Sequence, residues 1–359
     1  MQEAAELLFK NNPFSAITCQ VCDWALFCYG HCILNAKKVP VRWYEIEKEV
    51  SMPYLLNGAS VAAGADCGKS VAVVGAGPAG IAAAIWLREK GVAVDLYDVF
   101  PRVGGVLRYG IPDFRLDKKY VDAYERILTD CGVKFHGNVA LGKDVTVSEL
   151  KASHDAVLVA AGAWVAKQMW IPGEDNPRVI HALEYLKEPE KFALTGKVIV
   201  VGGGNVAMDA CRTAVRSGCD TTVVYRKTFE NMPANKLEVK EAQEDGVKFD
   251  VFSVPVEVKT DGDRTYAIVR KCENYTREDG SLATRILEGT DYEMDFDYMI
   301  VAVSEGVDKS LLDGVVADGA LPEEKGIFTA GDYAYGPKTV VEAVQSAKDT
   351  VAKVLSYLK

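Results

Sequence analysis

Two stretches of this sequence repeat one local pattern: a β-branched strand, a glycine turn, an apolar helix, a glycine and a second strand. The first runs from the strand Val71–Val74 through Gly75-Ala76-Gly77-Pro78-Ala79-Gly80 into a helix expected from Pro78 to about Glu89, then past Gly91 to the strand Ala93–Tyr97. The second runs from Val198–Val201 through Gly202-Gly203-Gly204-Asn205-Val206-Ala207 into a helix ending near Arg216, then past Gly218 to Thr221–Tyr225. Strands that alternate with helices in this way imply parallel sheets. The first glycine permits a tight turn, the second lets a pyrophosphate approach the backbone, and the third lets helix and strand pack closely. The helix after each turn offers unpaired N–H groups and a partial positive charge to the phosphates. A glycine pattern alone is weak evidence, but both turns have a strand before them and a helix after them.

The residues that end each second strand distinguish the two turns. Asp98 comes after Tyr97, and its carboxylate can accept hydrogen bonds from both hydroxyls of a ribose. After Tyr225 there is no acid; Arg226 and Lys227 stand there. A carboxylate would repel a 2′-phosphate, whereas guanidinium and ammonium groups hold it by charge-assisted hydrogen bonds. The second turn is therefore assigned to NADP(H) rather than NAD(H). The fold class implied is α/β, with two Rossmann-like dinucleotide-binding domains.

Length and composition bound the rest. A chain of 359 residues exceeds one ordinary core. With 41 basic and 51 acidic residues the net charge is −10, against the basic stripe that nucleic acid requires. Val71 to Leu87 carries no charge and approaches the length of a membrane span, but its glycines and proline read better as a buried strand, turn and helix. Glu3 and Glu6 with no long apolar core exclude a signal peptide, so a cytoplasmic protein is expected. A charged helix is expected from Lys118 to Asp130, with alternating strands around Phe249–Val258 and Tyr266–Arg270. The chain closes with the strand Tyr298–Val303, the strand Ile327–Ala330 and a helix from Val340 to Leu358.

Several strings resemble the small subunit of glutamate synthase and its relatives, which include the N-terminal half of dihydropyrimidine dehydrogenase and the large subunit of NADH-dependent ferredoxin:NADP oxidoreductases. They are GAGPAG at Gly75–Gly80, VGGVLRYGIPDFRL at Val103–Leu116, VGGGNVAMDACRTA at Val201–Ala214, VVYRK at Val223–Lys227 and TAGD at Thr329–Asp332. The resemblance implies FAD in the first site, with Asp98 on the adenosine ribose and Gly104, Gly105, Leu107 and Arg115 near the cofactor. It implies Gly331 and Asp332 at the ribityl–phosphate part, and a helix starting near Thr339 and Val340 that aims N–H groups at the flavin ring. It places Ala302, Val303 and Ser304 beside the nicotinamide. The sequence departs from the family there, because the usual glycine-containing turn reads Ser304-Glu305-Gly306. The domains expected are a helical iron–sulfur segment (1–66), an FAD domain (67–194), an inserted NADP domain (195–297) and the return of the FAD domain (298–359).

Four of the nine cysteines are grouped as Cys19-x2-Cys22-x5-Cys28-x3-Cys32, and four thiolates so close can surround one metal centre. An iron–sulfur cluster is favoured and structural zinc is the competitor. A flavin can split a hydride into single electrons and a cluster can carry them onward. Relatives carry another cysteine motif upstream and two [4Fe–4S] clusters; here one cluster is expected, [4Fe–4S] with [2Fe–2S] the second choice. The other cysteines form no C-x-x-C pair, against a disulfide relay. His31, His136, His154 and His181 show no ligand or triad spacing and read as surface or loop residues. Hydride transfer needs no side-chain acid or base, so no catalytic residue is assigned. The function expected is an electron-transfer flavoprotein subunit that exchanges hydride between NADP(H) and FAD and passes single electrons through the Fe–S cluster to or from partner subunits of a transhydrogenase, electron-bifurcating or glutamate-synthase-type complex, with neither nucleic acid nor membrane as partner. The alternatives are a stand-alone NAD(P)H:acceptor or ferredoxin oxidoreductase and a non-catalytic zinc-bearing scaffold.

Overall fold

The strand Ser70–Val74 is buried along Val71–Val74, as a run of small and β-branched residues must be when helices or loops cover both faces of a parallel sheet. In the computed structural model, which describes residues 1–312, 315 and 323–359, this strand is the centre of a five-stranded parallel sheet. The order is Ile327–Thr329, Ala156–Val159, Ser70–Val74, Ala93–Tyr97, Lys134–His136. The helix Pro78–Glu89, buried from Pro78 to Leu87, packs against the C-terminal helix Val340–Tyr357. Ala72, Val74, Leu150, Val157 and Tyr333 belong to a further apolar cluster of this unit.

The N-terminal segment joins the same unit rather than building a core of its own. Phe14 stacks on Tyr124 with ring centroids 4.4 Å apart, and the Tyr124 hydroxyl donates to the carbonyl of Pro13 at 2.8 Å. The Trp86 indole N–H donates to the carbonyl of Lys10 at 3.3 Å, and Lys348 Nζ to Asn11 Oδ1 at 2.8 Å. A helix of this segment runs over Trp43–Asn57.

A second five-stranded parallel sheet has the order Val179–His181, Tyr298–Val301, Lys197–Val201, Asp220–Tyr225, Lys248–Val251. Beside it in the same unit lies an antiparallel sheet of Ser253–Asp261, Arg264–Thr276, Leu282–Ile286 and Tyr292–Asp295. The stretch Phe249–Val258, expected as one strand, breaks at Phe252, which takes φ 52°, and serves both sheets.

The first unit comprises Met1–Arg108, Asp113–Val165 and Gly306–Lys359, and the second Tyr109–Pro112 and Ala166–Glu305. The second unit is thus largely an insertion in the first, but its borders differ from 195 and 297. Tyr298–Val301 hydrogen-bonds with Lys197–Val201 in the second sheet, so the return starts at Gly306 instead of 298. Val179–His181 also joins that sheet, so the insertion starts ahead of 195. Among the described residues no helix is long and apolar enough to cross a membrane.

Candidate functional site

Each glycine turn can be tested by asking what a side chain would meet there. A Cβ on Gly75 (φ 102°) would lie 2.2 Å from the Ala160 carbonyl oxygen, and one on Gly80 would lie 1.8 Å from that of Gly75. A Cβ on Gly202 (φ 145°) would lie 2.2 Å from the Ala302 oxygen, and one on Gly203 would lie 2.5 Å from the Tyr225 ring. Packing explains these four. The middle glycine of each pattern is different. Gly77 and Gly204 take φ −82° and −90°, which any residue adopts. A Cβ on Gly77 would meet only Gly105 Cα, at 3.8 Å, and one on Gly204 nothing within 4 Å. The protein itself gives no reason for a glycine at either place; a phosphate brought against the backbone does.

Both glycines are also the N-caps of their helices, Pro78–Glu89 and Asn205–Arg216, and neither helix start has a side-chain cap. Pro78 at the first helical position lacks an N–H, so Ala79 and Gly80 present theirs without competition. Several other expected FAD contacts gather around this turn. Gly104 N–H donates to the Ala76 carbonyl at 2.7 Å, and a Cβ on Gly105 would lie 2.7 Å from Gly77 Cα. Gly331 N–H donates to Ser346 Oγ at 2.9 Å, and its missing Cβ would lie 2.8 Å from that of Ala79, which sets the TAGD turn against the helix start.

Asp98 is 7% exposed and braces the turn: Oδ2 accepts from Ala76 N–H at 2.5 Å and Oδ1 from Phe100 N–H at 2.8 Å. Burial pushes its carboxyl up, with these two N–H groups acting against it. Each oxygen keeps a lone pair for a ribose hydroxyl. Leu107 is fully buried, so it supports the loop from the core. Arg115 is half-buried and already engaged. Asp332 Oδ1 accepts from Lys338 N–H at 3.2 Å. Thr339 caps the helix Val340–Tyr357 in a capping box with Glu342, which uses the N–H groups of both residues and leaves those of Val340 and Val341 outside the cap.

In the second unit, Arg226 is exposed and Lys227 half-buried, and neither forms an ion pair with a described residue. The loop after them docks on the second glycine turn. Ala234 N–H donates to the Gly203 carbonyl at 3.1 Å, and Asn235 N–H to Asn205 Oδ1 at 2.9 Å. Val206 stands half-buried in the first turn of the helix. Ala302 closes over Gly202, Val303 is 38% exposed, and Ser304 takes φ 138°.

The four grouped cysteines are not brought together in this way. Cys19 is buried, Cys22 and Cys32 half-buried and Cys28 exposed. Burial pushes Cys19 up to about 12 and Cys22 up to about 11. The negative field of Glu47 adds to both shifts; this carboxyl, itself pushed up to about 7 by burial, carries no signal in the cysteine spacing. Among the described residues no three His, Cys, Asp or Glu side chains gather closely enough to hold a metal ion. Hydride exchange between two dinucleotides needs no such centre.

Two of the four histidines, His136 with a side chain 38% exposed and His154 in the connection after the helix Val147–Ser153, are bonded to a neighbouring strand. His136 Nε2 is 2.6 Å from Asp95 Oδ1 and its ring stacks on Tyr97, while His154 Nε2 is 3.5 Å from Asp95 Oδ2. Burial opposes the charge on Asp95, but its hydrogen bonds to the two histidines prevail and hold the carboxyl below its ordinary value. Pairing strands and a helix end assemble this group, so sequence spacing does not reveal it.

A family model described as pyridine nucleotide-disulphide oxidoreductase matches residues 69–347. The chain is 32% identical to the NADPH glutamate synthase small chain of Azospirillum brasilense, across 100% of this chain and 82% of that one. It is 28% identical to the NADPH-Fe(3+) oxidoreductase subunit beta of Geobacter sulfurreducens, of which it spans 60%. Among solved structures, Mycobacterium tuberculosis FprA in complex with NADPH superposes with a TM-score of 0.72 at 19% identity, over 81% of this chain and 84% of that one. The family match includes both glycine turns and both parallel sheets, and the chain belongs to the pyridine nucleotide-disulphide oxidoreductase family as an NAD(P)H-dependent flavin oxidoreductase.

Proposed function

We propose that this chain is the nicotinamide-linked flavoprotein subunit of a larger redox complex, exchanging hydride between NADP(H) at the second glycine turn and FAD at the first. The observation that carries the reading is the pair Gly77 and Gly204: each is a glycine without a packing reason, at the uncapped start of a helix. FAD would be held by the backbone of Gly75–Gly80, by Asp98 at the adenosine ribose, by Gly104 and Gly105, and by Gly331 and Asp332. NADP(H) would be held by Gly202–Val206, with Arg226 and Lys227 on the 2′-phosphate and Ala302–Ser304 toward the nicotinamide. Bound together, the two groups supply two-electron hydride chemistry on one side and single-electron release on the other. The chain's residues position and desolvate; no side-chain acid or base is needed.

The partner role rests on relatives named as a small chain of glutamate synthase and as the beta subunits of other NADPH-linked enzymes. For the segment around Cys19, Cys22, Cys28 and Cys32 an iron–sulfur centre remains the proposal, on spacing alone. Reconstitution tests the central reading. Chain loaded with FAD and freed of excess is expected to retain the flavin and to lose its visible absorption when NADPH is added without oxygen. A chain that retains no flavin overturns it.

A further inference from the structure

A dinucleotide carries its adenosine and nicotinamide halves on opposite sides of the pyrophosphate, so fixing one end locates the other. In the second sheet the strand Asp220–Tyr225, which ends at Arg226 and Lys227, flanks the glycine-turn strand on one side, and Tyr298–Val301 flanks it on the other. Ligands of such sheets bind beyond the carboxyl ends of the strands. With the 2′-phosphate at Arg226 and Lys227, the nicotinamide end therefore lies beyond Val301, where Ala302 already closes over Gly202.

The backbone just past Ala302 is unusual. Ser304 takes φ 138°, a region that side chains rarely adopt. Two bonds from Lys167 hold it there: the main-chain N–H donates to the Ser304 carbonyl at 3.1 Å and Nζ to Ser304 Oγ at 3.4 Å. Strain kept in place by its surroundings marks functional segments. The next residue, Glu305, is half-buried, with no hydrogen bond from another described residue to its carboxyl. Burial pushes that carboxyl up, and the positive charge of Lys167 acts against the rise.

We infer that Glu305 is a redox-state selector for the nucleotide: its carboxylate favours the positively charged nicotinamide ring of NADP+ over the neutral ring of NADPH. This rests on the reading of the second turn as an NADP(H) site. The two forms differ by one charge, located at the ring, and share the adenosine, the pyrophosphate and the 2′-phosphate. A carboxylate near the ring therefore separates them, while its effect on the shared phosphates is common to both forms and Lys167 limits its size. Tighter holding of NADP+ than of NADPH draws hydride out of the nicotinamide and biases the subunit toward electron intake.

The test compares three ligands on the FAD-loaded chain at about pH 8, where an ordinary carboxyl is ionised. They are NADP+, the neutral and redox-inert analogue tetrahydro-NADP, and adenosine 2′,5′-bisphosphate, which has no nicotinamide. Glu305→Gln is expected to weaken NADP+ by roughly three- to tenfold, leaving the other two within about twofold. Glu305→Asp is expected to restore part of the preference. An equal change for NADP+ and tetrahydro-NADP overturns the inference and leaves the NADP(H) site standing. A wild-type chain that does not bind adenosine 2′,5′-bisphosphate overturns the site and the inference with it.

Discussion

At Gly204 a methyl group would meet nothing, and at Gly202 it would lie 2.2 Å from a carbonyl oxygen, so two neighbouring glycines make opposite demands. Gly204→Ala is expected to change thermal stability little, since the narrower unfolded ensemble of an alanine at φ −90° offsets its poorer capping of the helix. It should nonetheless weaken NADPH binding by at least about tenfold, because its methyl occupies the space left for the pyrophosphate. Gly202→Ala should instead lower the melting temperature by about 5 °C or more, a change that calorimetry reads directly. Arg226→Ala combined with Lys227→Ala is expected to cost NADPH about 10- to 100-fold in affinity and NADH little, checked by fluorescence titration. These residues were legible in the sequence because a turn's backbone demands and a strand-end charge are local properties. Glu47 and the Asp95–His136–His154 group were not, since burial and the fold's pairing decide them; for Glu305 the sequence marked the place in the turn but not the burial.

Between residues and domains stands the clip of helix Asn205–Arg216 to helix Lys236–Glu244. The Arg212 guanidinium, 6% exposed, lies 2.9 Å from Glu238, 2.6 Å from Glu241 and 2.8 Å from Asp245. Arg212→Met leaves carboxylates partly buried without their cation and is expected to cost about 2–3 kcal/mol near neutral pH, discounted for the exposure of Glu241. Burial opposes the charge on Asp245, yet Arg212 and Arg216 prevail and hold it below its ordinary value. A lowered carboxyl contributes stability above its unfolded pKa and loses it as pH falls through the folded one. The wild-type advantage over Arg212→Met should therefore shrink below about pH 4, seen in denaturant titrations at several pH values. The helices and the strands around both glycine turns match the sequence pattern closely. The strand break at Phe252 does not, because a bulky aromatic at φ 52° gives none of the signals of glycine or asparagine. The cysteine segment belongs to this scale too: Cys22→Ser with Cys28→Ser should remove any iron from the purified chain and leave its flavin, and zinc in the wild type would contradict the cluster.

Taken whole, the molecule interrupts one dinucleotide-binding unit with another, leaving the first after Val165 and re-entering it at Gly306. That insertion was readable from two strand–turn–helix repeats followed by a closing strand and helix. Its borders were not, because the apolar pattern of Tyr298–Val303 is satisfied by either sheet, and only the pairing with Lys197–Val201 decides between them. The central claim is that both turns bind dinucleotides and that the second reads the 2′-phosphate. It is tested most directly by titrating the FAD-loaded chain with NADPH and, separately, with NADH in the absence of oxygen, following the flavin absorption. Bleaching by NADPH at concentrations at least about tenfold below those NADH requires is the result expected. Equal response to both would contradict the roles of Arg226 and Lys227, and no response to either would contradict hydride exchange itself.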